Sequence, residues 1–173
     1  MGHIEGPVSQ TPWSPDFVVQ ALELLVVHRG PDGGIVRLRP VHAASLQLGW
    51  PPGTTADAVL TAALARYGLE ARVLHSTSWR HDGEHVVLTY LAVVDPPVGV
   101  NENLAAVAVG RTPLARGTAT AAPDSIQVDQ VVEHALRHLS WLLRDDAVVA
   151  AALPDWAPLL DQYVPEPFRQ LEA

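Results

Sequence analysis

The spacing of apolar and polar positions changes period several times along the chain, and each change marks an element. Residues 17–29, FVVQALELLVVHR, are dense in Val and Leu, and Pro31-Asp32-Gly33-Gly34 follows as a turn whose glycines can take positive φ. IVRLRP comes next, with Ile35, Arg37 and Arg39 on one side and Val36 and Leu38 on the other, so the two runs predict a β-hairpin. Residues 41–50 alternate loosely and end at Trp50-Pro51-Pro52-Gly53, a rigid loop because proline fixes φ and lacks an N–H. From Thr55 to Tyr67 the period becomes helical: Val59, Leu60, Ala63, Leu64 and Tyr67 share one face. Thr54 or Thr55 is placed to cap the start and Gly68 to end it. Residues 70–79 and 85–95 read as strands joined by a tight turn at His81-Asp82-Gly83-Glu84.

Beyond Pro96-Pro97, through about residue 123, Ala, Gly, Thr and Pro dominate, and the pattern supports at most one short strand or helix near LAAVAV. A helical stripe returns from Ser125, carrying Val131, Val132, Ala135, Leu136, Leu139, Leu142 and Leu143, with Asp129, Glu133, Arg137 and Arg144 mostly off it. AVVAAAL adds a short helical piece that stops at Pro154, and Pro158, Pro165 and Pro167 break the tail. These elements predict one α/β (α+β) domain over residues 17–145. An irregular or disordered segment, 1–16, precedes it, and a helical extension, 146–173, is expected to pack on the same domain.

Composition narrows the function classes. With 48% hydrophobic and 17% charged residues the chain can bury a core that offsets its ordering entropy. A net charge of -8, from 19 acidic and 11 basic residues with no Lys/Arg run, lacks the footprint of a phosphate-backbone binder, so no bulk nucleic-acid partner is expected. The absence of cysteine removes disulfides, zinc–thiolate sites and thiol nucleophiles together. Neither a signal-peptide pattern nor an apolar run approaching roughly 18 residues is present, so the expectation is a cytoplasmic protein with no membrane partner.

One stretch carries more than fold. GWPPGTTADAVLTAALARYGLEARVL, residues 49–74, resembles the loop-helix-loop of Nudix hydrolases, whose box reads G-x5-E-x7-R-E-U-x-E-E-x-G-U with U aliphatic. The order of elements over about residues 17–145 is similar as well, and the resemblance implies a mixed sheet sandwiched between helices. Matching the end of the box to Gly68-Leu69 puts Arg66 and Ala65 at the paired glutamates, Ala62 and Thr61 at the preceding Glu and Arg, and Gly53 at the first Glu. Every diagnostic position is changed. Mg²⁺ requires hard oxygen ligands, and a fixed guanidinium at Arg66 repels the ion it would have to bind. The usual metal-dependent hydrolysis is therefore expected to be absent or very weak, with no cofactor, and with Mg²⁺ entering only if catalytic groups lie outside the box.

Candidate chemistry elsewhere is thin. His75, His81 and His85 with Asp82 and Glu84 surround one predicted hairpin, but their spacing is not that of a ligand set, and they read first as turn residues. Glu133-His134 and His138 sit on the C-terminal helix as E-H-x-x-x-H, which is neither the zinc motif H-E-x-x-H nor its inverse, and they read first as a polar helix face. Asp57, the one carboxylate in the altered box, suits the N-terminal end of the helix dipole. No G-x-S-x-G frame or phosphate loop occurs. Trp50 and Trp79, each at a loop or strand end, can stack a flat ligand, and Arg80 and Arg66, together with Arg37, can meet an anion.

The expected ligand-binding set is thus Trp50, Arg66, Trp79, Arg80, Asp82, Glu84 and His85, with no metal. The sequence predicts a binding module for a nucleotide, another phosphorylated metabolite or a protein partner. The alternative is a divergent hydrolase acting on a nucleoside diphosphate-type substrate. A homodimer through the apolar C-terminal helix is the remaining partner option.

Overall fold

The computed structural model describes residues 19–82, 85–99, 101–114 and 125–164, so the expected irregular segment 1–16 and Glu84 lie outside the described residues. In chain order the elements are β1 (Val19–Arg29), β2 (Ile35–Pro40), β3 (Leu46–Gly49), α1 (Ala56–Arg66), β4 (Ala71–Asp82) and β5 (His85–Val94). Then come β6 (Leu104–Ala108), α2 (Val128–Asp145), α3 (Ala147–Ala152) and α4 (Ala157–Leu160). The predicted strands and helices are all present, and LAAVAV resolves as a strand because it completes the sheet beside β2.

The sheet runs β4-β5-β1-β2-β6, and β3 pairs with the N-terminal part of β1 while β2 pairs with its C-terminal part. β1 and β5 are parallel and their other pairings antiparallel, which makes the sheet mixed. Alternation along β1 decides what each face meets. Leu22, Leu24 and Val26 pack with Leu60 and Leu64 of α1, whereas Leu25 and Val27 pack with Val132, Leu136 and Leu139 of α2 and with Leu153, Trp156 and Leu160 beyond it. This is the mixed sheet sandwiched between helices that the resemblance implies, and α3 and α4 extend the layer formed by α2.

Helix α1 is bounded by local chemistry. The Thr55 hydroxyl accepts from the Ala58 N–H, and the C-terminus closes when the Leu69 N–H reaches the Leu64 carbonyl and the Gly68 N–H reaches that of Ala65, both at 3.0 Å. Gly68 takes φ 70°, a left-handed conformation, with nothing near its missing Cβ. Gly68→Ala is therefore expected to cost only the backbone penalty, about 1–2 kcal/mol, as a shift in urea midpoint at constant m-value.

Candidate functional site

The solvent side of α1 is where a Nudix box would hold its metal. Leu60, Ala63 and Leu64 point into the core, which leaves Thr61, Ala62, Ala65 and Arg66 exposed, and Gly53 is exposed in the preceding loop. The four box positions on this face offer no carboxylate; their only side-chain oxygen is the Thr61 hydroxyl, and Arg66 adds a cation. The donor set does not fit Mg²⁺. Asp57, in the first turn, is the only acid on the helix, and among the described residues no group of three His, Asp or Glu is placed to hold a metal ion.

The remaining expected site residues divide between the two faces of the β4–β5 hairpin. Trp79 pairs with Leu88, which packs on the α1-side core, and lies edge-on to His81 with ring centroids 5.7 Å apart. Its indole is 66% exposed. Arg80, Asp82 and His85 alternate onto the α2 side, where Asp82 and His85 are cross-strand partners. Trp50 is half-buried against the α1-side core, and its indole N–H donates to the Thr54 carbonyl at 2.9 Å, holding the Pro-Pro-Gly loop closed. Arg66 lies at the opposite end of β4 from the hairpin, since α1 leads directly into Ala71. The eight residue steps from Ala71 to Trp79 span roughly 26 Å of strand. His75 shares the α2 side with His85 but pairs with Leu91, six residues further along β5, whereas His81 faces the α1 side.

Arg80, expected as a ligand cation, is engaged inside the protein by Glu23. Glu23, in the middle of β1, is 2% exposed, and Arg80 grips it through two nitrogens at 2.6 and 3.1 Å. The Ser45 hydroxyl donates to the same carboxylate at 2.8 Å and that of Thr89 at 3.0 Å. Burial pushes the Glu23 carboxyl up, but the bonds from Arg80 and Ser45, the Arg80 charge and the Thr89 bond outweigh it and hold the group below its usual 4.5. Arg37 is likewise engaged, donating to the Ala44 carbonyl and to Asp129 of α2.

Glu133 corrects the expectation of a polar helix face. It is 1% exposed and accepts from Arg111 at 2.8 and 3.1 Å, from Arg137 at 2.9 Å and from the Thr112 N–H at 3.3 Å. Burial again pushes the carboxyl up, and the arginine bonds, the Thr112 bond and the Arg111 charge bring it below 4.5. Both buried carboxylates have their oxygens filled by donors, so neither is free to ligate a metal or accept a proton from a substrate. Two open clefts are lined by none of the expected site residues. One of about 430 Å³ is formed by residues 40–47 with Tyr67, and one of about 390 Å³ lies at the C-terminal ends of β1 and β5.

Comparison with known proteins locates the chain by shape. No family model and no curated protein matches it. Several solved structures similar to it are Nudix hydrolases. A putative nudix hydrolase family member from Chromobacterium violaceum aligns with 87% of this chain and 95% of its own, at 12% identity and a TM-score of 0.47. RenU, a Nudix hydrolase from M. Smegmatis, aligns over 52% and 70% of the two chains at 19% identity and a TM-score of 0.37. An Ap4A hydrolase from C. elegans aligns over 83% and 98% at 15% identity and a TM-score of 0.39. Similarity at this level is one of chain trace and does not extend to activity.

Proposed function

We propose that this protein is a Nudix-like binding module that does not hydrolyse its ligand, a nucleotide or another phosphorylated metabolite. The observation that carries the reading is the solvent side of α1, where the box positions Thr61, Ala62, Ala65 and Arg66 carry no carboxylate and a single acid, Asp57, stands in the first turn. The two buried carboxylates do not substitute for it, being held by Arg80 in one case and by Arg111 and Arg137 in the other. An exposed indole at Trp79, beside His81 and on the same sheet face as Trp50, supports stacking of a flat base. Asp82 and His85 face away from that indole, which weighs against a divergent hydrolase assembled on the hairpin.

The test is binding and turnover measured together, with ADP and NAD⁺ as probes in the presence of Mg²⁺. Saturable quenching of tryptophan fluorescence is expected without release of phosphate or AMP. Trp79→Ala should weaken binding about tenfold or more, in line with the ~1–3 kcal/mol of a stacked base. Arg66→Glu alone should leave turnover absent, because Gly53, Ala62 and Ala65 still lack oxygen ligands. Mg²⁺-dependent turnover at enzyme-like rates in the unaltered protein would overturn the reading.

A further inference from the structure

Helix α2 meets β4 through a cluster of rings. His75 of β4 and His138 of α2 stand edge to face, ring centroids 5.0 Å apart at 82°. His138 also stacks on Trp141 at 5.5 Å and 23°, and it hydrogen-bonds to the Thr77 backbone. His134, one turn earlier, lies 6.5 Å from His138. β4 ends the strand order, so its outer side has no strand partner among the described residues, and its ladder is interrupted between Ser76 and Ser78, where Thr77 bulges. An edge strand left open is a template for unwanted pairing, and covering it with a helix is a common solution. His75 and His138 stand where α2 meets this edge strand.

Among the described residues, the charged and titratable groups facing the pair are few. α2 supplies His134, and α3 supplies Asp146, whose charge is felt by His75. β5 places Leu91 opposite His75 and adds no charge there. Asp146 Oδ1 already accepts the Val148 and Val149 N–H groups as the cap of α3, at 2.8 and 3.2 Å.

We propose that His75 and His138 form a proton-operated latch that holds α2 against edge strand β4, closed while the rings are neutral and loosened when both carry charge. A single proton is tolerated. On His138 it faces the Trp141 ring, a cation–π arrangement, and on His75 it faces Asp146. A second proton places two cations at the 5.0 Å ring separation, with Asp146 the one anion facing them among the described residues.

Burial lowers the affinity of both rings for protons. For His138 the neighbouring His75 and His134 add to that effect and the Thr77 bond opposes it, while for His75 Asp146 opposes it. Both rings therefore titrate below the usual 6.5 in the closed state. Groups held down in this way stabilise the closed form above about pH 6.5, and the contribution fades as pH falls from there through the closed-state values.

Two measurements on the full chain test the latch. In amide exchange between about pH 7.5 and 5, corrected for chemical exchange rates, residues 73–77 and 134–141 should open about tenfold more for each unit by which the closed rings resist protonation. β1 and β2 should not change, and His75→Gln combined with His138→Gln should flatten the response. The same acid response in that double variant, or none in the unaltered protein, would overturn the proposal. Imidazole titration by NMR needs no variant: the expected result is two coupled steps below 6.5, and two independent steps at 6.5 would sink the idea.

Discussion

Arg80→Met is expected to destabilise the protein by about 3–5 kcal/mol at pH 7, the range for removing one partner of a buried ion pair. The Glu23 side chain is 3% exposed and cannot turn to water, so losing Arg80 leaves an anion supported only by the Ser45 and Thr89 hydroxyls. The effect should depend on pH with a defined sign. In the unaltered protein Glu23 titrates below 4.5, so its stabilising contribution is present above that pH and is lost as pH falls through the folded value. In the variant, burial is no longer opposed by the guanidinium and the carboxyl moves up. The variant then takes up a proton on Glu23 at a pH where the unaltered protein does not, and its deficit should narrow between pH 7 and 4. Urea titrations at several pH values measure this, and a deficit independent of pH would show that Arg80 acts through packing alone. Replacing Glu23 by Met in the same background should recover part of the loss, the Ser45 and Thr89 hydroxyls retaining the rest.

The pair also explains why the fold was legible in the sequence and the candidate site was not. Strand and helix faces follow local periods, so Leu22, Leu24 and Val26 on one side and Leu25 and Val27 on the other could be anticipated from the run ALELLVV. The glutamate inside that run was itself a signal, because an acid with apolar neighbours on both sides must find a donor. The donor stands 57 residues away on β4, a separation no local pattern reports. Arg80 read as a free cation beside Trp79 for that reason. Glu133 misled in the opposite way. It lies off the apolar stripe of α2, and only the return of Arg111 and Thr112 across that side buries it. His75 and His138 belong to different elements and meet because α2 packs on the sheet face that His75 shares with Leu91. By contrast, the missing box carboxylates were visible at once, since the positions of a local motif on one helix do not depend on where the rest of the chain goes.

Glu133→Gln is expected to cost about 3 kcal/mol and to loosen the C-terminal segment before the rest of the fold. The geometry leaves no good orientation for the amide. One carboxylate oxygen takes Arg111 Nη2 and Arg137 Nε, and the other takes Arg111 Nε and the Thr112 N–H, so the new NH₂ faces two donors whichever way it turns. Arg111 in turn donates to the Gln162 carbonyl at 2.6 Å and lies 4.5 Å from the centre of the Tyr163 ring, which makes the carboxylate the anchor for the segment after α4. Amide exchange or limited proteolysis at residues 160–164 should therefore rise in the variant at denaturant concentrations where the β1 and β5 amides remain protected. Because Glu133 also titrates below 4.5, the deficit should shrink as the unaltered protein loses the same contribution in acid. Burial of Leu160 and Tyr163 supplies a second attachment, and the comparison separates the two. If the segment stays protected until global unfolding, apolar contact holds it, and the ion network acts on α2 and the Arg111–Thr112 strand of chain alone.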